Sequence, residues 1–264
     1  MPDSVREQLA AGRGPVGTRT DILPSLVVAL DLPTAGQALA LADDLRGLPL
    51  WLKVGLELFT AEGPDLVKRL LAKHFALFLD LKFYDIPNTT QGAVRSATSL
   101  GAHMTTLHLS GGEAMCRAAV AGRSQGLEQR MEGVSLNGRA DNGPLLMGVT
   151  VLTSDAGREE DIRAMVVERA LAAKAWGLDG VVCSGHEASA VKAACGRDFL
   201  CLCPGIRFVD FSGRDDQARV CTPGQAARAG ADFLVMGRPI TKAEHPAAAA
   251  MAALEEISQA LRDI

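Results

Sequence analysis

The 264 residues contain no C-x-x-C pair, no pair of histidines one helical turn apart, no excess of basic charge and no stretch of about 18 uninterrupted apolar residues. Each absence removes a class of function. Without a membrane-length apolar run no membrane span is expected, and residues 1–23, which mix Gly, Pro, Arg and Asp, lack the continuous apolar core of a signal peptide. The six cysteines, Cys116, Cys183, Cys195, Cys201, Cys203 and Cys221, show no metal or redox spacing, and Cys201 and Cys203 sit in an apolar run where thiols pack as small hydrophobes. Free buried thiols in a reducing cytoplasm are the expectation. The five histidines, His74, His103, His108, His186 and His245, form no metal-ligand cluster. A net charge of −4, from 27 basic and 31 acidic residues, gives no field for nucleic acid. No G-x-G-x-x-G or P-loop pattern follows a strand, so no nucleotide cofactor is implied. A small-molecule ligand is left.

A hydrophobic content of 48% over 264 residues can bury one large core. Short β-rich apolar runs at 25–31, 51–59, 76–82, 103–109, 145–153, 180–184, 199–206 and 232–238 alternate with segments of helical spacing at 34–46, 64–73, 88–100, 112–122, 159–176, 186–195, 222–229 and 246–262. Alternation of this kind predicts parallel strands joined by crossover helices. Eight strands in a chain of this length point to a (β/α)8 TIM barrel, although an open doubly wound sheet has similar local patterning. The expected division is an N-terminal extension at 1–23 and a single α/β barrel domain at 24–264. The stretch 122–143 reads as irregular and falls at the bottom of such a barrel, away from chemistry. Asp43-Asp44 and Glu159-Glu160-Asp161 read as solvated helix faces or favourable helix starts.

Polar residues gain meaning from their place on the strands. Asp31 closes the first run, Lys53 lies within the second, Asp80 and Lys82 end the third, Thr153 and Ser154 end the fifth, Arg207 follows the seventh, and Gly237 and Arg238 end the eighth. These are C-terminal strand ends, where barrel active sites are built. Asp80 and Lys82, two apart on a strand, leave one face about 6.6 Å apart along it, and both can face the barrel axis. Carboxylates flanking a lysine favour its ammonium form, which can donate a proton to a carbanion or stabilise developing negative charge. The same Asp-Lys-Asp spacing would also serve an ion-pair network that only fastens the barrel rim. At the eighth strand, Gly237 permits close approach and Arg238 offers a fork of donors suited to phosphate.

Asp80-Leu-Lys82-Phe-Tyr-Asp85-Ile86-Pro-Asn-Thr89 closely resembles the D-x-K-x-x-D-I-P-x-T signature of the orotidine 5′-phosphate decarboxylase family. The resemblance continues, in order, through Val27-Val-Ala-Leu-Asp31, Leu52-Lys-Val-Gly55, Val151-Leu-Thr-Ser154, Pro204-Gly-Ile-Arg207, Asp216-Gln-Ala-Arg219 and Gly237-Arg-Pro-Ile-Thr-Lys242. It implies removal of the C6 carboxylate of orotidine 5′-phosphate to give UMP, without cofactor or metal, in the cytoplasm. Lys53, Asp80, Lys82 and Asp85 would form the charged array, with Lys82 stabilising and protonating the carbanion. Asp31 and Lys53 would bind ribose hydroxyls, Thr153 and Ser154 would line the pyrimidine, and Arg207, Gln217, Gly237 and Arg238 would hold the phosphate. Ile86 and Thr89 join the substrate-binding set. The family's counterparts of Asp85 and Thr89 enter the neighbouring subunit's site, implying a homodimer with shared active sites. Two other readings stay open: a magnesium-dependent sugar-phosphate decarboxylase or synthase sharing D-x-K-x-x-D, and a non-catalytic barrel that binds a phosphorylated metabolite.

Overall fold

The computed structural model describes residues 24–133, 143–151, 158–209 and 221–262. The expected extension at 1–23 and the candidates Thr153, Ser154 and Gln217 lie outside the described residues. Eight strands form a closed, all-parallel barrel in sequence order: β1 (Ser25–Ala29), β2 (Leu50–Gly55), β3 (Ala76–Phe83), β4 (Met104–His108), β5 (Leu145–Val149), β6 (Gly180–Val182), β7 (Leu200–Cys203) and β8 (Phe233–Met236). The barrel, and not the open sheet, is the solution adopted, because β8 pairs back onto β1 through Leu26↔Leu234 and Val27↔Val235. Around it run α1 (Ala35–Asp44), α2 (Leu56–Leu71), α3 (Pro87–Leu100), α4 (Gly112–Gly133), α5 (Glu159–Ala175), α6 (Ala188–Cys195), α7 (Pro223–Arg228), the four-residue α8 (Arg238–Thr241) and α9 (Pro246–Arg262). No helix among the described residues is long and apolar enough to cross a membrane.

The period-two alternation of a strand divides the core in two. Val27, Ala29, Phe78, Met104, Met147, Leu202, Phe233 and Val235 fill the barrel interior. Leu26, Val28, Leu52, Leu77, Leu79, Leu234 and their neighbours face the helices, and all six cysteines are buried and unpaired. Lys53 pairs in register with Ala29 on one side and Phe78 on the other, both interior residues, so its stem enters the barrel. Asp80 follows Phe78 by two and enters one layer higher.

Several expected boundaries shift. The second strand ends at Gly55, and the Leu56-Glu-Leu-Phe59 segment, expected as its continuation, opens α2; the apolar run continues across the junction and Gly55 supplies no side-chain cap. That helix turns sharply at Gly63, where φ is 65°, before Pro64 starts its second part. The fifth strand stops at Val149 instead of 153. Residues 122–133, read as irregular, are helical. Their glycines are contact points: a Cβ on Gly122 would sit 2.3 Å from the Gln91 carbonyl oxygen, and one on Gly126 2.7 Å from that of Arg95, both on α3. Asp43-Asp44 lies at the C-terminal end of α1, where the helix dipole disfavours it, and Asp43 is compensated by Lys73 at 2.6 Å and by Arg46. Glu159, Glu160 and Asp161 do occupy the first turn of α5.

Candidate active site

At the C-terminal mouth of the barrel a cavity of about 490 Å³ has an apolar floor of Phe78, Val149, Val182, Leu202 and Val235 and a polar wall of Asp31, Lys53, Asp80, Lys82, Arg207 and Arg238. The strand ends of β1, β2, β3 and β8 and the segment after β7 therefore converge on one space, as the pattern of polar strand ends implies.

Asp80 is the hub of that wall, 8% exposed. Its Oδ2 lies 2.8 Å from Lys82 Nζ and 3.6 Å from Lys53 Nζ, while Lys53 Nζ also donates to Asp31 Oδ1 at 2.9 Å. Its Oδ1 accepts from Thr106 Oγ1 at 2.8 Å. Burial pushes the Asp80 pKa up, but the ammonium groups of Lys53 and Lys82 and the hydrogen bonds from Lys82 and Thr106 outweigh it and hold the carboxyl below its usual range. The site thus keeps a buried carboxylate ionised with a cation on either side. Gly55 is the quiet member of the group: a Cβ there would come within 3.1 Å of Lys53 Nζ and 3.2 Å of Asp31 Oδ1. A Cβ on Gly237 would come no closer than 3.7 Å to Ala29 and 3.9 Å to Asp31, so the surrounding protein atoms leave room at that place.

The route by which Lys82 reaches Asp80 differs from the flat strand expected. The β3–β4 ladder pairs Leu79 with Thr105 and then jumps to Phe83 with Leu107, and within this irregularity Lys82 takes φ 47°. Left-handed backbone costs a residue with a Cβ roughly 1–2 kcal/mol, so surrounding bonds must over-determine it. Thr106, next to this irregularity, is a site residue that the sequence does not single out, since threonine in a strand is an ordinary β-former. His108, at the end of β4, is a second: burial and the nearby Lys82 charge push its pKa down, with Asp80 opposing, which favours the neutral imidazole.

Asp85 does not join Lys53, Asp80 and Lys82 within its own chain. It is exposed, its Oδ1 accepts from the Ile86 N–H at 2.6 Å, and no ion pair links it to either lysine among the described residues. Thr89 is exposed on the first turn of α3, and Ile86 and Tyr84 are 67% and 62% exposed beside it. Arg207 is 7% exposed and lines the cavity, its backbone N–H bonded to the Cys221 carbonyl at 3.0 Å. Among the described residues, no three His, Cys, Asp or Glu side chains converge as a metal-holding group.

Residues 24–253 match the family described as "Orotidine 5'-phosphate decarboxylase / HUMPS family". An orotidine 5'-phosphate decarboxylase from Nitratidesulfovibrio vulgaris (strain Miyazaki F) is 52% identical over 248 residues, spanning 88% of this chain and 96% of that one. One from Maridesulfovibrio salexigens is 50% identical over 244 residues, spanning 89% of this chain and 100% of that one. Among solved structures, orotidine 5'-phosphate decarboxylase from Lactobacillus acidophilus superposes with a TM-score of 0.74 at 34% identity, covering 89% of this chain and 99% of that one. An uncharacterised conserved protein from Geobacillus kaustophilus gives 0.72 at 33% identity, covering 88% and 99% respectively. With the barrel, the strand-end array and these likenesses in agreement, this chain belongs to the orotidine 5'-phosphate decarboxylase / HUMPS family.

Proposed function

We propose that this chain decarboxylates orotidine 5′-phosphate to UMP in de novo pyrimidine biosynthesis. The observation that carries the reading is the Lys82 ammonium held 2.8 Å from an ionised, buried Asp80 in the wall of the barrel-mouth cavity, in a chain about half identical to relatives named for that activity. The bond from C6 to the carboxylate breaks, CO2 leaves and the electron pair remains on C6. Lys82 places its positive charge against that developing carbanion and transfers a proton to it, and the neutral amine regains a proton from solvent. Asp80 presses its charge against the substrate carboxylate, a repulsion that vanishes as CO2 departs, so the interaction favours the transition state over the bound substrate.

The remaining candidates take supporting roles. Asp31 and Lys53 hold the ribose hydroxyls, Thr153 and Ser154 line the pyrimidine, Ile86 joins the substrate-binding set, and Gln217, Gly237 and the guanidinium groups of Arg207 and Arg238 take the phosphate. The exposure of Asp85 and Thr89, together with the absence of an ion pair between Asp85 and Lys82, supports a homodimer in which they complete the partner's cavity. Six free buried thiols suit a cytoplasmic location.

The test is the absorbance change on adding orotidine 5′-phosphate to purified protein, with and without a strong chelator. Turnover insensitive to chelation is expected. No turnover sinks the reading, and turnover abolished by chelation moves the chain to the magnesium-dependent sugar-phosphate branch.

A further inference from the structure

Thr106 has no part in the reaction as set out above, yet its hydroxyl touches both charged partners on β3. Between the pairs Leu79↔Thr105 and Phe83↔Leu107, the residues Asp80, Leu81 and Lys82 face Thr106 alone. Lys82, at φ 47°, turns its backbone N–H to the Thr106 hydroxyl oxygen, which accepts it at 3.0 Å. The same hydroxyl donates its one proton to Asp80 Oδ1 at 2.8 Å. The direction of both bonds follows from chemistry: an ionised carboxylate can only accept and a backbone N–H can only donate, so the hydroxyl must do one of each. Thr106 is 1% exposed.

We propose that Thr106 is a positioning residue for the decarboxylation, its hydroxyl fixing the Asp80 carboxylate and the Lys82 backbone so that the ammonium meets the substrate at C6. The proposal rests on the decarboxylase reading. Asp80 has two oxygens; Thr106 pins one, which directs the other at Lys82 and Lys53. Replacing the hydroxyl with a methyl group frees the carboxylate to rotate and orphans the Lys82 N–H at the residue whose geometry the proton transfer needs. Phosphate capture by the guanidinium groups is left alone.

Thr105 supplies the control. It is equally buried, at 0% exposure, and its hydroxyl donates to the Leu79 carbonyl at 2.9 Å, repairing the same stretch of ladder without touching Asp80 or Lys82. Thr106→Val is expected to lower kcat by about 10- to 100-fold with KM within about threefold, since small misplacements of reacting groups cost rates of that order. Because the Thr106 bond helps hold Asp80 ionised, the acid limb of kcat should also move to higher pH. Thr106→Ser should stay within about threefold of wild type with an unmoved limb, and Thr105→Val should lose stability while keeping kcat, KM and the limb. A folded Thr106→Val with near-normal kcat and an unmoved limb overturns the proposal, as does an equal loss of kcat in Thr105→Val. If Thr106→Val does not fold, Thr106→Ala is read in the same way. Absence of wild-type turnover removes the decarboxylase reading as well, whereas wild-type turnover with an unaffected Thr106 variant removes this inference alone.

Discussion

At the residue scale, Lys82 carries the largest expected effect. Lys82→Ala should abolish turnover while UMP binding stays measurable by calorimetry, because the ammonium acts on charge that exists only as the carboxylate leaves. Near-normal turnover in a folded variant would place the proton donor elsewhere. The pairing of Asp80 with Lys82 was legible because both lie two apart at the end of an apolar run, and period-two alternation puts such residues on one face. The bulge and the positive φ at Lys82 were not legible, since they arise from the mismatch between β3 and β4 and neither strand carries a glycine to announce it. Thr106 stayed hidden for the same reason. Asp85 was legible as a member of a motif, but its separation from Lys82 within one chain is a matter of tertiary placement that spacing cannot supply.

At the element scale, one glycine on α3 and one on α4 give a test with opposite signs. Alanine in a helix interior gains roughly 0.5–1 kcal/mol over glycine. At Gly92 on α3 nothing lies within 4 Å of where the Cβ would go, so Gly92→Ala should stabilise by about that amount. At Gly122 the Cβ would meet backbone at 2.3 Å, and overpacking of that kind costs about 1–3 kcal/mol, so Gly122→Ala should be net destabilising. Denaturant midpoints of the two variants against wild type decide it; equal shifts would mean that the helices part without cost. The helix over 122–133 was not legible, because a glycine that breaks a helix and one that makes a contact look alike in a sequence. Where a helix start carried its own chemistry the boundary was readable, as at Thr222, whose side chain and that of Gln225 form a reciprocal capping box at the head of α7. Gly55, with no cap to offer, left the β2–α2 junction invisible.

At the scale of the whole molecule, two predictions concern acid and assembly. His108 has its folded pKa depressed by burial, so the unfolded chain binds a proton more readily; the associated stability is present above the unfolded value near 6.5 and is lost as pH falls below it. Asp80, also depressed, adds a second loss below about pH 4, while Asp232, raised by burial, works in the opposite sense. Wild type should therefore lose denaturant stability between pH 7 and 5 that His108→Gln does not lose; parallel pH slopes would remove His108 as the cause. For assembly, Lys82→Ala and Asp85→Ala chains, each inactive alone, should complement on mixing. Random exchange at equal concentrations makes about half the dimers mixed with one intact site each, so activity should recover to roughly one quarter of wild type. Verified heterodimers without recovery would assign Asp85 to its own chain's cavity. The barrel was legible from eight alternating strands, but the proposed partnership between chains rests on two exposed side chains, Asp85 and Thr89, that composition cannot distinguish from ordinary surface.

The six cysteines give the molecule a built-in stopwatch. All six are free and buried, and the pKa of each is raised: by burial at Cys116, where it reaches about 12, at Cys195 and at Cys221, and by hydrogen bonding among the thiols, which shifts the two partners of each bond in opposite senses, together with burial in the Cys183, Cys201 and Cys203 group. Only the thiolate attacks a disulfide reagent, so the folded protein should be nearly silent toward one at pH 8 and release its full complement of thiols in denaturant. Native labelling then clocks the opening of the barrel. A ligand that binds only the closed form slows a fully open route by one plus the ratio of its concentration to its dissociation constant, about 100-fold at one hundred times that constant. The affinities of UMP and other phosphorylated compounds can thus be ranked by watching the chemistry of thiols that do not line the cavity, with no substrate turned over at all.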